Sequence, residues 1–413
     1  MGLSGVRGAQ VHVREAVLRY LIVGGGIAGV TTARRLRNLA PKAQVTLVEA
    51  EPRPYYLRPG LIDVLSGDKS LDDISPYPLS WYEGQGIEYR PGSAAVGLQP
   101  ALRRVFLSSG EELSYDRVLL ATGAEAFRPP IPGADLPGVF TLRTAADVER
   151  IRARAEVAHA ALVIGGGWLG LEAARALRAC GLSVVVLERS LWPLFRQLDR
   201  EGGEVLKGRL EGLGIRVIVG TSCRALEGRG QVERAVLESG EKIEAGLVVM
   251  AAGIRPRTAL AAEADLAVDR GIVVDERMAT SAPGVYACGD AAEWQGRVYG
   301  IIPAAREQAE VAAANMVEPG SAVYAGTVVQ NRLKVAGVDL LCLGETQAQG
   351  GPGEEHRLVD PKGGSYRKLV VRQGSLVGAI LLGDLSGEGA IRELIASGKP
   401  VGGLLPALLS PRD

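Results

Sequence analysis

Apolar positions along this chain come in short unbroken runs that alternate with glycine turns and helically spaced segments. The run Tyr20–Val23 meets Gly24-Gly-Gly-Ile-Ala-Gly29, after which helical spacing extends from Val30 to Leu39 until Pro41 stops it. A second run, Val45–Val48, ends at Glu49. Such runs predict strands covered on both faces, as in a parallel sheet, and a proline beyond a periodic stretch predicts a helix end. The whole block then recurs. Ala161–Ile164 meets Gly165-Gly-Gly-Trp-Leu-Gly170, helical spacing follows from Leu171 to Cys180, and Val184–Leu187 ends at Glu188.

Strand, Gly-x-Gly-x-x-Gly, helix, strand and acid in that order form the dinucleotide-binding fingerprint with its context intact. Gly24 allows the tight turn, Gly26 lets backbone approach a pyrophosphate, and Gly29 lets the helix pack on the sheet. The helix N-terminus, with about half a positive charge and free N–H groups, then faces the phosphates. Glu49 can accept hydrogen bonds from a ribose. Gly165, Gly167, Gly170 and Glu188 repeat these parts, so two nucleotide-binding domains and two nucleotides are expected. Three shorter signals accompany them: Leu119-Leu-Ala121-Thr122-Gly123, Met250-Ala-Ala252-Gly253, and Val285-Tyr-Ala-Cys-Gly289-Asp290. Each is a strand end running into small residues.

Composition narrows the function classes. At 413 residues and 43.4 kDa the chain is too long for one core and suits two or three domains. Its 47 basic and 47 acidic side chains leave no positive excess for nucleic acid. No apolar stretch is long enough to span a bilayer. Met1 to Arg19 lacks the apolar core of a secretion signal and is expected to be a tail on a cytoplasmic protein. The four cysteines are scattered, without a Cys-x-x-Cys pair, which argues against a disulfide scaffold, a zinc site and an adjacent redox dithiol. The three histidines, His12, His159 and His356, have no metal-ligand spacing, so no metal is expected.

The order of these signals resembles the pyridine nucleotide-disulfide oxidoreductases, flavoproteins that bind two nucleotides. That resemblance implies an α/β fold with two Rossmann-like domains of the glutathione-reductase type and a small α+β C-terminal domain. The expected division is a tail at 1–19, an FAD domain split between 20–121 and 245–320, an NAD(P)H domain at 122–244, and the C-terminal domain at 321–413. For FAD it implies Gly24, Gly26, Ala28, Gly29, Glu49, Arg58, Pro59, Val96, Ala121, Thr122, Gly123, Gly289, Asp290, Pro303 and Ala304. For NAD(P)H it implies Gly165, Gly167, Leu169, Gly170, Glu172, Glu188, Ala252 and Gly253. The segment Ile302-Pro303-Ala304 opens a helix to about Met316, whose N-terminus would favour negative charge on a reduced flavin.

Further stretches are similar to the branch that holds NADH:rubredoxin reductases and the flavin module of NAD(P)H nitrite reductases. They include Tyr55-Tyr56-Leu57-Arg58-Pro59, Gln197-Leu-Asp199-Arg200, Leu333-Lys334-Val-Ala-Gly337 and Tyr366-Arg-Lys368-Leu369. Leu57 is an insertion relative to that pattern. Disulfide reductases of the family carry reactive cysteines soon after the first fingerprint, and residues 50 to 75 have none. The chemistry is therefore expected to be flavin-mediated, with Lys334 and Tyr56 as the side chains nearest to a catalytic role. Tyr55, Trp81, Trp168 and Tyr299 are further candidates to shield a flavin face.

The expected activity is electron transfer from NADH, with NADPH the weaker donor, through FAD to a small electron-transfer protein such as rubredoxin. The protein is expected as a monomer or homodimer without nucleic acid or integral membrane contact. Rival readings are a reductase feeding a nitrite-reductase-type partner, an NADH oxidase or quinone reductase, and a redox-sensing flavoprotein that is not an enzyme.

Overall fold

The computed structural model describes residues 17–335, 338–347, 353–360 and 364–410; the tail through residue 16 and the Lys334 side chain lie outside the described residues. Arg19, expected to end the tail, instead opens the first strand. Its backbone pairs with Gln44 and its guanidinium meets Asp116 at 3.2 Å.

The first fingerprint builds a five-stranded parallel sheet in the order Val285–Ala287, Arg117–Leu120, Arg19–Val23, Gln44–Val48, Glu88–Arg90. Helix Ile27–Leu39 covers it and packs closely on helix Ile302–Val317, because small residues line both surfaces. Ala28 and Thr32 are buried on one helix and Ala305 and Ala309 on the other, with the Thr32 hydroxyl donating to the Ala309 carbonyl at 3.4 Å. The second fingerprint builds the same object again. Its parallel sheet runs Ile215–Val219, Ser183–Glu188, Ala160–Ile164, Leu247–Met250, Val139–Thr141. Each parallel sheet is joined by a three-stranded antiparallel one, Ala95–Gln99, Arg104–Leu107 and Glu112–Ser114 in the first body and Cys223–Glu227, Arg234–Leu237 and Lys242–Glu244 in the second.

This pairing corrects one expected boundary. The run Leu247–Met250, assigned to the FAD domain by the division at 244/245, is the fourth strand of the second sheet. It is buried at every position and needs a strand on each side, which Ala160–Ile164 and Val139–Thr141 supply. The chain leaves the first body through Ala124–Ala126 and returns through Ile254–Pro256, two strands paired antiparallel. The C-terminal domain is an antiparallel sheet, Gln330–Val335, Val338–Gly344, Ser375–Leu382, Ser365–Arg372, Glu354–Asp360, with helices Glu388–Ser397 and Leu405–Leu409. Among the described residues no helix is long and apolar enough to cross a membrane.

The duplication holds hydrogen bond by hydrogen bond. The amide of Gly24 donates to the Val48 carbonyl and that of Gly165 to the Leu187 carbonyl, each at 2.8 Å. A Cβ on Gly29 would overlap the Gly24 carbonyl oxygen, and one on Gly170 the Gly165 oxygen. Gly29→Ala and Gly170→Ala should therefore each lower unfolding free energy by about 1–3 kcal/mol, the usual cost of overpacking. Gly208, inside helix Arg200–Gly212 with open space around its Cα, is the control. Gly208→Ala should raise stability by about 0.5–1 kcal/mol. Thermal midpoints of the three variants check the ordering.

Candidate functional site

A cleft of about 820 Å³ opens between the two bodies, within the roughly 300–1,000 Å³ range of small-molecule sites. Its walls come from segments far apart in sequence. The first glycine turn supplies Gly24, Gly26 and Ala28, the second strand Glu49, and a following turn Arg58 and Pro59. Strand ends add Ala121, Thr122, Gly123, Gly289 and Asp290. The second fingerprint contributes only the start of its helix, Trp168, Leu169 and Glu172. Eleven of the residues expected for FAD and two of those expected for NAD(P)H thus share one cavity.

The remaining expected residues stand elsewhere, for local reasons. Gly29 packs beneath the turn rather than facing the cleft. Val96 is 55% exposed: the strand register shifts between Ala95 and Gly97, leaving Val96 unpaired, and Ser93, Ala94 and Ala95 line the cavity in its place. On helix Ile302–Val317 the cleft-facing positions are Ile302 and Ala305, with Ile301 just before them, so Pro303 and Ala304 are turned away. Gly165, Gly167, Gly170, Glu188, Ala252 and Gly253 cluster around the second sheet's own glycine turn, outside this cavity. Of the aromatic candidates, Tyr55 and Trp168 line the cleft, while Trp81 and Tyr299 do not.

Tyr56 is not a wall of the cleft. Its hydroxyl donates to the Glu51 carboxylate at 2.5 Å and accepts the Ala145 amide at 3.1 Å. Burial, with the hydrogen bond to Glu51, pushes the phenol pKa well up, partly opposed by Arg58. Arg58 bridges Glu51 at 2.9 Å and the Arg143 carbonyl at 2.9 Å. Tyr56 is a strut between the two bodies, and the adjacent Tyr55, with a phenol pushed up by burial to about 12, faces the cavity.

Arg143 is the functional residue that sequence reasoning missed. It lines the cleft and its guanidinium meets the Asp290 carboxylate at 2.6 Å, while its Nε donates to the Ala124 carbonyl at 3.2 Å. The only local signal was the capping box that follows it. Thr144 and Asp147 exchange hydrogen bonds at the start of helix Ala145–Ala155, and Asp147 also accepts the Arg143 amide at 3.0 Å. That box fixes where the arginine emerges.

The geometry fits a dinucleotide. Gly26 and Gly167 have open space where a Cβ would stand, beside turns whose other glycines are tightly packed. Each acid braces its turn with both oxygens. Glu49 accepts the Gly25 amide at 2.5 Å and the Glu51 amide at 2.9 Å. Glu188 accepts the Gly166 and Ser190 amides, both at 2.7 Å. Among the described residues the buried Trp168 Nε1 has no hydrogen-bond partner. Cys288 touches the cavity, but burial pushes its thiol up to about 12 and that of Cys223 up to about 11. Burial raises Cys180 and Cys342 as well, so all four thiols stay protonated at neutral pH.

Comparison with known proteins agrees with this arrangement. The family described as pyridine nucleotide-disulphide oxidoreductase matches residues 18–312, and the rubredoxin NAD+ reductase C-terminal domain matches residues 330–399. The nitrite reductase [NAD(P)H] of Bacillus subtilis is 37% identical over 89% of this chain and 46% of its own length. The chain likewise spans about half the length of the assimilatory nitrate reductase electron transfer subunit of Bacillus subtilis and of the nitrite reductase (NADH) large subunit of Escherichia coli. The NADH-rubredoxin oxidoreductase of Clostridium acetobutylicum is 30% identical over 92% of this chain and 95% of its own length. A crystal structure of NADH:rubredoxin oxidoreductase from that organism superposes with a TM-score of 0.79 at 29% identity, covering 94% of this chain and 97% of that one.

Two substitutions separate the roles of the residues that converge here. Arg143→Gln removes a charge-assisted hydrogen bond worth about 1.5–3 kcal/mol, so flavin retained through dialysis, read from its visible absorbance, should fall sharply. Tyr56→Phe should lower the thermal midpoint and leave flavin content unchanged. Loss of flavin in the tyrosine variant with full retention in the arginine variant would reverse the assignment.

Proposed function

The chain belongs to the pyridine nucleotide-disulphide oxidoreductase family, whose members work with FAD and NAD(P)H, and on that premise we propose a cytoplasmic reductase passing electrons from NADH through FAD to a small one-electron protein such as rubredoxin. The observation that carries the reading is the shared cavity: the flavin-fingerprint residues and the start of the second fingerprint's helix face one space. Bound FAD supplies the redox chemistry, accepting a hydride and releasing electrons singly or in pairs.

The chain's own residues bind and orient. Gly26 leaves room for a pyrophosphate against the N-terminus of Ile27–Leu39, and the braced Glu49 offers a carboxylate to a ribose. Asp290 and Arg143 present an acceptor and a donor side by side. Trp168 and Tyr55 wall the cavity with aromatic surface that excludes water. The N-terminus of Ile302–Val317, started by Pro303, favours negative charge at that wall. The match over 92% of this chain and 95% of the clostridial rubredoxin reductase supports a protein acceptor of that kind. A second reading, in which the chain is the flavin module feeding a nitrite-reducing partner, draws on the higher identity to the Bacillus enzyme.

Anaerobic NADH should bleach the yellow protein quickly. Of rubredoxin, ferredoxin, a quinone and oxygen, rubredoxin should reoxidise it fastest. Reoxidation by oxygen or quinone at equal or greater rates would set the protein-acceptor reading aside.

Donor choice follows from Glu188. Its carboxylate, fixed by two amides, suits the ribose hydroxyls of NADH and repels a 2′-phosphate. The exposed Arg189 beside it offsets that repulsion by only about 0–1 kcal/mol. NADH should be preferred by about tenfold or more in kcat/KM, about 1.4 kcal/mol. Glu188→Ala should narrow the gap, mainly by improving NADPH. Equal use of both donors by the parent would mean that the arginine prevails.

A further inference from the structure

Two of the sequence motifs set apart above have no role in the cleft, and the structure brings them together. Asp199, from Gln197-Leu-Asp199-Arg200, lies in the second body. Tyr366 and Lys368, from Tyr366-Arg-Lys368-Leu369, lie on the C-terminal strand Ser365–Arg372. Lys368 is 1% exposed, and its Nζ reaches Asp199 at 3.2 Å and Glu355 at 2.9 Å. The Tyr366 hydroxyl donates to the same Asp199 oxygen at 2.6 Å, and Arg357 Nε reaches it at 3.2 Å. The other Asp199 oxygen accepts the Gly202 amide at 3.1 Å, capping helix Arg200–Gly212. Burial works against the Asp199 charge, yet the phenol, the amide and the ammonium together hold its carboxyl below the usual range.

Asp199 closes the loop that begins at Glu188. That loop is fastened at its other end to the second glycine turn, through the Ser190 amide on Glu188 and the Leu194 amide on the Gly166 carbonyl at 2.9 Å. Leu194 is buried and held at φ 53°, a conformation a leucine adopts only under constraint. Gln347, also from the C-terminal domain, donates to the Phe195 carbonyl at 3.0 Å and the Leu198 carbonyl at 3.3 Å. A single loop therefore runs from the acid and glycine turn of the second fingerprint to a buried ionic clamp on another domain.

We propose that Asp199, Lys368 and Tyr366 are positioning residues for the nicotinamide donor: through the 189–199 loop, the C-terminal domain sets the shape of the subsite for the donor's adenosine half. The inference rests on the reading that the second fingerprint takes NADH. A buried ion pair adds little stability over apolar packing, and specifying one geometry is the role left to it here.

The test is calorimetric titration of the FAD-loaded protein with NAD+ and with ADP-ribose, which keeps the adenosine half and lacks the nicotinamide. Losing one member of a buried pair can unfold a protein, so the charges are removed together in Asp199→Asn/Lys368→Met, with Tyr366→Phe as a milder variant. Affinity for both ligands should fall about fivefold or more in the double variant, the lower end of typical coupling between sites, and by a smaller factor in Tyr366→Phe. Reduced nicotinamide mononucleotide, which lacks the adenosine half, should reduce the flavin of parent and variants at rates within about twofold, the spread expected of untouched sites. Unchanged NAD+ and ADP-ribose affinity in the flavin-loaded variants overturns the proposal. So does a parallel loss with reduced nicotinamide mononucleotide, which would mark a general structural defect. A parent that binds neither NAD+ nor ADP-ribose removes the underlying reading of the second fingerprint, and the proposal with it.

Discussion

Everything in this molecule hangs on a close approach that only a missing side chain permits. At Gly24 the backbone turns against the Ala121 carbonyl, and at Gly165 against that of Ala251, where any Cβ would collide. The acid at the end of the neighbouring strand then takes the next amide, Gly25 for Glu49 and Gly166 for Glu188. Strand, turn and helix are locked into one piece, and the helix N-terminus is left pointing into open space at Gly26 and Gly167. A binding site for a negatively charged group is a by-product of packing the turn. The same packing forces each acid to its place, so cofactor recognition and local stability cannot be altered independently at these positions.

The cleft forms where the two copies of this unit meet unequally. The first copy gives the cavity its turn, its acid and its strand ends, while the second gives the first residues of its helix and, from the end of its edge strand, Leu142 and Arg143. Helix Leu61–Ser66 of the first body buries Leu61, Ile62, Val64 and Leu65 against helices Ala145–Ala155 and Trp168–Ala179 of the second. Specific polar links run beside that apolar contact: Tyr56 through Glu51 and Ala145, Arg58 through the Arg143 carbonyl, and Arg143 through Asp290. Each satisfies hydrogen-bonding groups that would otherwise be buried unpaired. The apolar contact supplies the stability of the interface, and the polar links fix its orientation.

Legibility in the sequence follows the range of the physics involved. The turns, their acids and the helix at Ile302 were readable because each depends on neighbours in the chain. The membership of Leu247–Met250 was not, since an apolar strand looks the same whichever sheet it joins, and only the pairing partners decide. Tyr55 and Tyr56 are adjacent aromatics, and which one faces the cleft depends on Glu51 and Ala145 capturing one hydroxyl. Arg143 carried no mark of its own in an arginine-rich chain. Val96 lost its expected place to a register shift of one residue, a detail that periodicity does not carry.

The paired strands Ala124–Ala126 and Ile254–Pro256 form a neck through which the inserted body is attached. Its two ends lie one strand spacing apart, about 4.8 Å, so the body is joined to its host almost at a point. The stem alone would let the inserted body be exchanged as a cassette, but its core also runs into helix Leu61–Ser66 of the first body and into the C-terminal sheet, where Leu333, Leu340 and Tyr366 are buried with it. Loop 189–199 limits that freedom. It is held from outside the neck by Lys368 and Tyr366, so an incoming cassette without an acid at the position of Asp199 would fit the stem and leave a buried lysine facing Glu355 alone. The unit of exchange is thus the inserted body together with the faces of helix Leu61–Ser66 and of the C-terminal sheet that complete its core.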